Sequence, residues 1–205
     1  MNTRHKTFQT FDPNPSLKLA LELLSQAGVT QFALIGKLAM WVYLEDESQH
    51  GYTKDVDFAV LLAEVGKIEQ HVLKQGLPYQ PLHIGGIGIR AKGLNIDFID
   101  RRLHGVEGLF REAIQQASQE VFIDDKTIPV VSLEHLIAMK MVSGEPKDDQ
   151  DLKTLLALHK ADYSKARKVV ETHLGLIPAE RLDVFAREAG ILPKTGPYIE
   201  TEESR

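Results

Sequence analysis

The chain has 205 residues, 43% of them hydrophobic, and a formal net charge of −5, enough apolar content to bury a core as one domain with an appendage or as two small ones. It contains no cysteine, which excludes a disulfide framework and a thiolate zinc site. No apolar run reaches the roughly 18–20 residues of a membrane span, and Met1 to Lys6 lacks the apolar stretch of a signal peptide, so a cytoplasmic location is expected; the acidic balance argues against a surface built for general nucleic-acid binding.

The first predicted element is a helix opened by Asn14-Pro15-Ser16, carried by Leu17, Ala20, Leu21 and Leu24 and stopped at Gly28, with proline near the start and glycine at the end as helices prefer. Phe32 to Ile35 reads as a strand, Leu38 to Leu44 as a helix, Val56 to Leu62 as a second strand and Glu64 to Lys74 as a helix closed by Gly76. Leu82 to Ile84 and Ile87 to Ala91 read as short strands, and Ala91-Lys92-Gly93-Leu94 as a tight turn feeding a strand through Asp97. A helix follows near Val106 to Ala117, then a hairpin of Val121 to Ile123 and Ile128 to Val131 around Asp124-Asp125. From Ser132 the pattern is helical, in segments Leu133 to Val142, Asp148 to Leu158, Ser164 to His173 and Pro178 to Ala189. The division expected is a core over 1–131, a helical part over 132–192 and a flexible tail over 193–205. Gly85-Gly86-Ile87-Gly88 lacks the Lys-Ser/Thr ending of a phosphate loop and is read as a turn.

Chemistry concentrates in Thr53-Lys54-Asp55-Val56-Asp57-Phe58 and Leu94-Asn95-Ile96-Asp97-Phe98-Ile99. On a strand, Asp55 and Asp57 leave by the same face with Cα atoms roughly 6–7 Å apart, while Val56 and Phe58 fill the core behind them. Two such carboxylates repel, and a hard divalent ion with oxygen ligands, Mg²⁺ or Mn²⁺, resolves the conflict. Asp97 lies between Ile96 and Phe98, which claim the buried face, so it is expected beside the other two on a neighbouring strand. Asp100, an odd number of positions on, falls at the strand end. Three acids from two strands can clamp two metal ions.

These pieces, taken with Gly36 after the first strand, resemble the nucleotidyltransferase superfamily that includes polymerase-β-like enzymes, and are most similar to its small bacterial members of minimal and abortive-infection type. Ser132 to Lys140 followed by Lys147-Asp148-Asp149-Gln150-Asp151 is similar to their later motif, a helical lysine and then Lys-Asp with a second Asp three residues on. The resemblance covers about Phe32 to Leu156. It implies an α+β fold, a short mixed sheet with packed helices and a helical C-terminal part. It implies transfer of a nucleoside monophosphate from a nucleoside triphosphate to a hydroxyl on RNA or protein, as a toxin or phage-defence component with a cognate antitoxin. Asp55, Asp57 and Asp97 would be catalytic and metal-binding, and Gly36, Lys37, Thr53 and Lys140 would hold phosphate.

The chain departs from that family in two places. Gly36 is followed by Lys37 where relatives carry Gly-Gly or Gly-Ser; Lys37 either replaces the phosphate contact by charge at a helix N-terminus or obstructs the nucleotide. Gly51 stands where many relatives have an arginine, leaving Lys54 or Arg90 to supply that cation. Structural alternatives stand beside each residue. Asp55, Asp57 and Asp97 could line a solvated strand face, although Asp is depleted from strands. Gly36 could merely close its strand. Lys140 could snorkel from the edge of an apolar stripe, Asp148 and Asp151 could serve the helix dipole, and Lys147 could pair with Asp151 at i+4. None of the eight histidines is assigned a role. A catalytically degenerate nucleotide- or partner-binding module of the same fold is the alternative function.

Overall fold

The structure is a computed structural model that describes residues 12–193 apart from 51, 92, 124, 125 and 145. Gly51, the centre of the Asp124-Asp125 turn, Lys92 and the tail from 194 onward therefore lie outside the described residues. The elements run α1 (Asn14–Gln26), β1 (Phe32–Ile35), α2 (Gly36–Tyr43), β2 (Val56–Val60), α3 (Leu62–Lys74), β3 (Tyr79–Pro81), β4 (Ile87–Ala91), β5 (Leu94–Ile99), α4 (Glu107–Gln115), β6 (Gln119–Ile123), β7 (Lys126–Val130), α5 (Leu133–Ser143), α6 (Pro146–Ala157), α7 (Tyr163–Leu174) and α8 (Leu176–Glu188). No helix among the described residues is long and apolar enough to cross a membrane.

One correction concerns Leu82 to Ile84, which reads as a strand but forms the turn that enters Gly85-Gly86. The strand lies earlier, at Tyr79–Pro81, on the sheet edge. Its proline and lack of alternation hide it in the sequence, yet an edge position tolerates a residue that cannot donate to the ladder. Gly85 and Gly86 both have positive φ, and a Cβ at Gly86 would collide with the Phe98 carbonyl. That turn accepts only glycine there.

Seven strands form one mixed sheet in the order β3-β4-β5-β2-β1-β7-β6, longer than the short sheet expected. β2 pairs antiparallel with β1 and parallel with β5, and its register sets Asp57 against Asp97 and Phe58 against Phe98. In the adjoining antiparallel pair Gly88 lies opposite Asp97. Paired residues project to the same face, so Asp57, Asp97, Gly88 and, two residues along, Arg90 share one side. Phe58 and Phe98 are fully buried on the other, with ring centroids 6.0 Å apart, and Phe32 meets Phe58 edge-on at 5.8 Å.

After β7 the chain is helical. α5 carries buried residues around most of its circumference, as expected for a helix enclosed by others; it packs against α2, α4, α6 and α7. Ser132 caps it, its hydroxyl accepting from the His135 amide, and Gly144 ends it in the left-handed region. Pro146 and the acids Asp148 and Asp149 open α6, proline and negative charge both being favourable in a first turn. The buried apolar residues of sheet and helices form a continuous core. Because Phe58 is completely buried at the centre of it, Phe58→Ala should cost about 3–5 kcal/mol, read as a lower urea midpoint at unchanged slope.

Candidate active site

The carboxylate face of β2 and β5 opens into a cleft of about 530 Å³ whose far wall is α5 and the start of α6. Asp55, Asp57, Asp97, Gly36, Lys37, Thr53 and Lys140, all singled out from sequence, line it. Asp55 lies just before β2 rather than within it. The Thr53 hydroxyl is bonded to the Asp55 backbone, accepting from its amide at 3.4 Å. Thr53 thus shapes the turn that presents Asp55. Asp100 is not part of the cleft: it is buried, accepts from the Arg102 amide at 3.0 Å and fastens the turn after β5.

Gly36 has a structural requirement that phosphate access does not explain. Its φ is +69°, and a Cβ there would overlap the Asp57 carboxylate. The first helical residue after β1 must therefore be glycine for Asp57 to occupy its position. Gly88 does the same for Asp97, since a Cβ would stand 2.7 Å from Asp97 Oδ1 and 3.2 Å from the Arg90 guanidinium.

The five acids of the cleft divide into two groups. Asp97 Oδ1 lies 2.6 Å from Arg90 Nη1, and Arg90 is fixed further by donating to the carbonyls of Ile89 and Ile96. The bond to Asp97 strengthens the arginine's hold on its proton. Asp148 and Asp151 are paired with lysines: Lys140 Nζ lies 2.5 Å from Asp148 Oδ1 and 2.8 Å from Asp151 Oδ2, and Lys37 Nζ lies 2.5 Å from Asp151 Oδ1. Asp55 and Asp57, by contrast, make no salt bridge among the described residues. Burial, then Asp97, then Asp55 push the Asp57 carboxyl up to about 7, against smaller opposing effects of Lys140 and Arg90.

Of the cations offered as replacements for the family arginine, Arg90 is committed to Asp97, while Lys54 lines the cleft. Lys140 neither snorkels nor stands alone. Burial works against its charge, but Asp148 and Asp151 more than offset this and raise its pKa. The spacing explains the contact: Lys140 and Ser143 share a face at i+3 on α5, Asp148 and Asp151 at i+3 on α6, and the Ser143 hydroxyl donates to Asp148 Oδ2. Residues that sequence reasoning missed are His83, Arg101, His104 and Tyr52, which also line the cleft. Arg101 adopts φ 55°, rare for a residue with a side chain. Only the Gly85-Gly86 pair hinted that a tight loop would bring His83 there.

Metal fit can be judged from these partners. The two carboxylates without a protein cation are all-oxygen donors, one of them crowded enough to resist ionisation, which suits a hard divalent ion. No three acid or imidazole side chains among the described residues form a metal cage, and Asp97 Oδ1 is paired with Arg90. The raised Asp57 carboxyl has a consequence for stability. Below the unfolded value near 4 both states are protonated and nothing is lost; between about 4 and 7 the unfolded chain ionises first, so the native state loses stability, and the loss persists above 7. In chelator, Asp57→Asn should therefore stabilise the fold by about 1–4 kcal/mol at pH 8 and by little at pH 4, read as a pH-dependent difference in Tm.

No family model matches the chain, and no curated protein does. Solved structures do. An antigenic nucleotidyltransferase-like protein from Paracoccidioides brasiliensis superposes with a TM-score of 0.50 at 14% identity, covering 87% of this chain and 92% of the other. The antibiotic-resistance factor ANT(2'')-Ia gives a TM-score of 0.45 at 14% identity over 85% of this chain and 90% of its own in solution. In complex with adenylyl-2''-tobramycin it gives 0.43 at 13% over 86% and 97%. A central β2–β5 pair with the acids, a glycine-led helix after β1 and a helical second half agree with the superposition on the first of these proteins: the chain has a nucleotidyltransferase-like α+β fold.

Proposed function

We propose that the protein is a metal-dependent nucleotidyltransferase that moves a nucleoside monophosphate from a nucleoside triphosphate to a hydroxyl acceptor. The observation that carries this reading is the division of acids in the cleft: Asp97, Asp148 and Asp151 have protein cations, and Asp55 and Asp57 have none among the described residues. A site for Mg²⁺ or Mn²⁺ and a site for polyphosphate thus lie side by side. Asp55 and Asp57 would hold the ion, with Asp97 joining by exchanging Arg90 for it. When bound, the ion would neutralise polyphosphate charge and acidify the attacking hydroxyl.

The chain's own residues supply position and charge. Lys140 and Lys37 face the polyphosphate and stabilise negative charge as the bond from the α-phosphorus to its bridging oxygen breaks. The acceptor oxygen forms the new bond to that phosphorus, pyrophosphate leaves, and the acceptor's proton passes to a carboxylate. Asp97, which lines the cleft beside Asp55 and Asp57, would be the carboxylate to take it. Gly36 keeps the helix from closing on Asp57, and Thr53 sets the turn carrying Asp55.

The acceptor side bears Lys54, His83, Arg101 and His104 with the exposed ring of Tyr52. Cations beside an aromatic face favour an RNA end, with phosphates to bind and a base to stack, over a protein hydroxyl. A role as toxin or phage-defence component with a cognate antitoxin rests on the sequence resemblance alone. The degenerate-module reading draws on the Arg90–Asp97 pair, which occupies one carboxylate of the expected three.

The test uses purified protein with each nucleoside triphosphate and Mg²⁺. The parent should gain thermal stability by mass action, whereas Asp55→Asn and Asp57→Asn should lose at least about tenfold in nucleotide affinity, the scale of one charge-assisted contact. Asp57→Asn would then be more stable and less competent at once, which separates function from folding. Label from an α-labelled triphosphate should appear in ribonuclease-sensitive material. Nucleotide shifts equal in parent and variants would reject the metal-site reading; binding without transfer to RNA or protein would leave the degenerate module.

A further inference from the structure

Lys37 occupies the position at which the chain departs from its relatives, directly after Gly36. Its ammonium turns along the first turn of α2 to Asp151 on α6, 2.5 Å away, with Met40 Sδ at 3.7 Å. The same carboxylate holds Lys140 through its other oxygen at 2.8 Å, and Asp148 holds Lys140 from a second direction at 2.5 Å. Asp151 therefore touches both lysines, and its side chain is only 10% exposed.

An ammonium has three N–H donors. Lys140 commits two of them to Asp148 and Asp151, and Lys37 commits one to Asp151 with the thioether as a weak second contact. Both side chains line the cleft, so each has a donor left for a ligand on that side. Two cations sharing one carboxylate are held as neighbours at a fixed spacing. Neighbouring cations at fixed spacing match linked phosphoryl groups better than a single phosphate.

We propose that Asp151 is a positioning residue that holds Lys37 and Lys140 as a matched pair for the linked phosphates of the substrate, with Lys37 acting in place of the small residue found in relatives. This rests on the nucleotidyl-transfer reading of the cleft. The contrary reading of the same contacts is that Asp151 competes with substrate as an internal anion. The two have opposite signs. A competing carboxylate, once neutralised, releases both lysines and strengthens anion binding. A positioning carboxylate, once neutralised, leaves two long side chains to be ordered by the ligand itself, and leaves Lys140 with one carboxylate where burial opposes its charge.

The experiment is calorimetric titration of parent, Lys37→Ser, Asp151→Asn and the double variant with tripolyphosphate, pyrophosphate, inorganic phosphate and nucleoside triphosphate with Mg²⁺. The parent should bind tripolyphosphate and pyrophosphate at least about tenfold more tightly than inorganic phosphate, and each single variant should lose about 10–100-fold for the linked phosphates. The double variant should lose less than the product of the singles, because part of the Asp151 effect passes through Lys37. Under turnover the loss should fall mainly on KM, which a general loosening of the fold would not select. Lys37→Ser removes a partly exposed ammonium and keeps the test open if Asp151→Asn folds poorly. Tighter polyphosphate binding by Asp151→Asn, unchanged affinity in Lys37→Ser, or strictly multiplicative losses would each overturn the proposal. A parent that binds neither polyphosphate nor nucleotide would overturn the transfer reading and this inference together; nucleotide binding left intact by both single variants would overturn this inference alone.

Discussion

The register of β2 against β5 is the constraint on which the rest of the molecule depends. It sets Asp57 beside Asp97 and, on the reverse face, Phe58 beside Phe98. Like charges directly opposed on a sheet are unfavourable, yet a slip of one residue would turn over the strand that slips, burying its carboxylate and exposing its ring. The aromatic pair therefore enforces the repulsion between the acids. The surrounding chain is shaped to accommodate it. Glycine at 36 and at 88 leaves room for the two carboxylates, Arg90 takes one of them, and Lys140 contributes positive potential to the other.

A second set of charges, on α5 and α6, follows a different logic. Lys37, Lys140, Asp148 and Asp151 form an almost buried, mutually neutralised cluster. Such clusters seldom stabilise a protein more than well-packed apolar residues would, because desolvation consumes most of the attraction. Stability is thus a poor reason for placing two lysines and two aspartates where α2, α5 and α6 meet. A requirement for positive charge beside Asp57 is a better one, since burial opposes the charge of Lys140 and the two carboxylates at hand more than offset it.

Much of this was legible in the sequence because it follows from period and spacing. Alternation around Asp57 and Asp97 placed both on one face of neighbouring strands, and the later motif of a helical lysine followed by Lys-Asp and a second Asp pointed to Lys140, Asp148 and Asp151. What was not legible depends on contacts across long separations. No local pattern ties Lys37 to Asp151, 114 positions away, or Arg90 to Asp97 in preference to another acid. The glycine at 36 was read as an opening for phosphate, whereas its nearest constraint is the Asp57 side chain. The edge strand at Tyr79–Pro81 escaped notice because its partner β4, rather than its own composition, makes it a strand. Arg101 escaped because a left-handed arginine carries no compositional signal.

On the proposed reading of the cleft, the pairing of charges would also order the events of substrate entry. Before a nucleotide arrives, three of the five acids lining the cleft are held by arginine or lysine, and Asp57 keeps its proton up to about neutral pH. A polyphosphate approaching alone would meet lysines already shared with carboxylates and, beside them, the carboxylates of Asp55 and Asp57. A polyphosphate that brings a divalent cation meets complementary partners at both positions: phosphate oxygens for the remaining donors of Lys37 and Lys140, and the cation for Asp55 and Asp57. Binding of the ion and binding of the phosphates would each remove the electrostatic obstacle to the other, so their affinities are coupled and by linkage equally so in both directions. That Asp55 and Asp57 make no salt bridge among the described residues would then be a functional arrangement, because a lysine or arginine placed there would satisfy the carboxylates in advance and abolish that coupling.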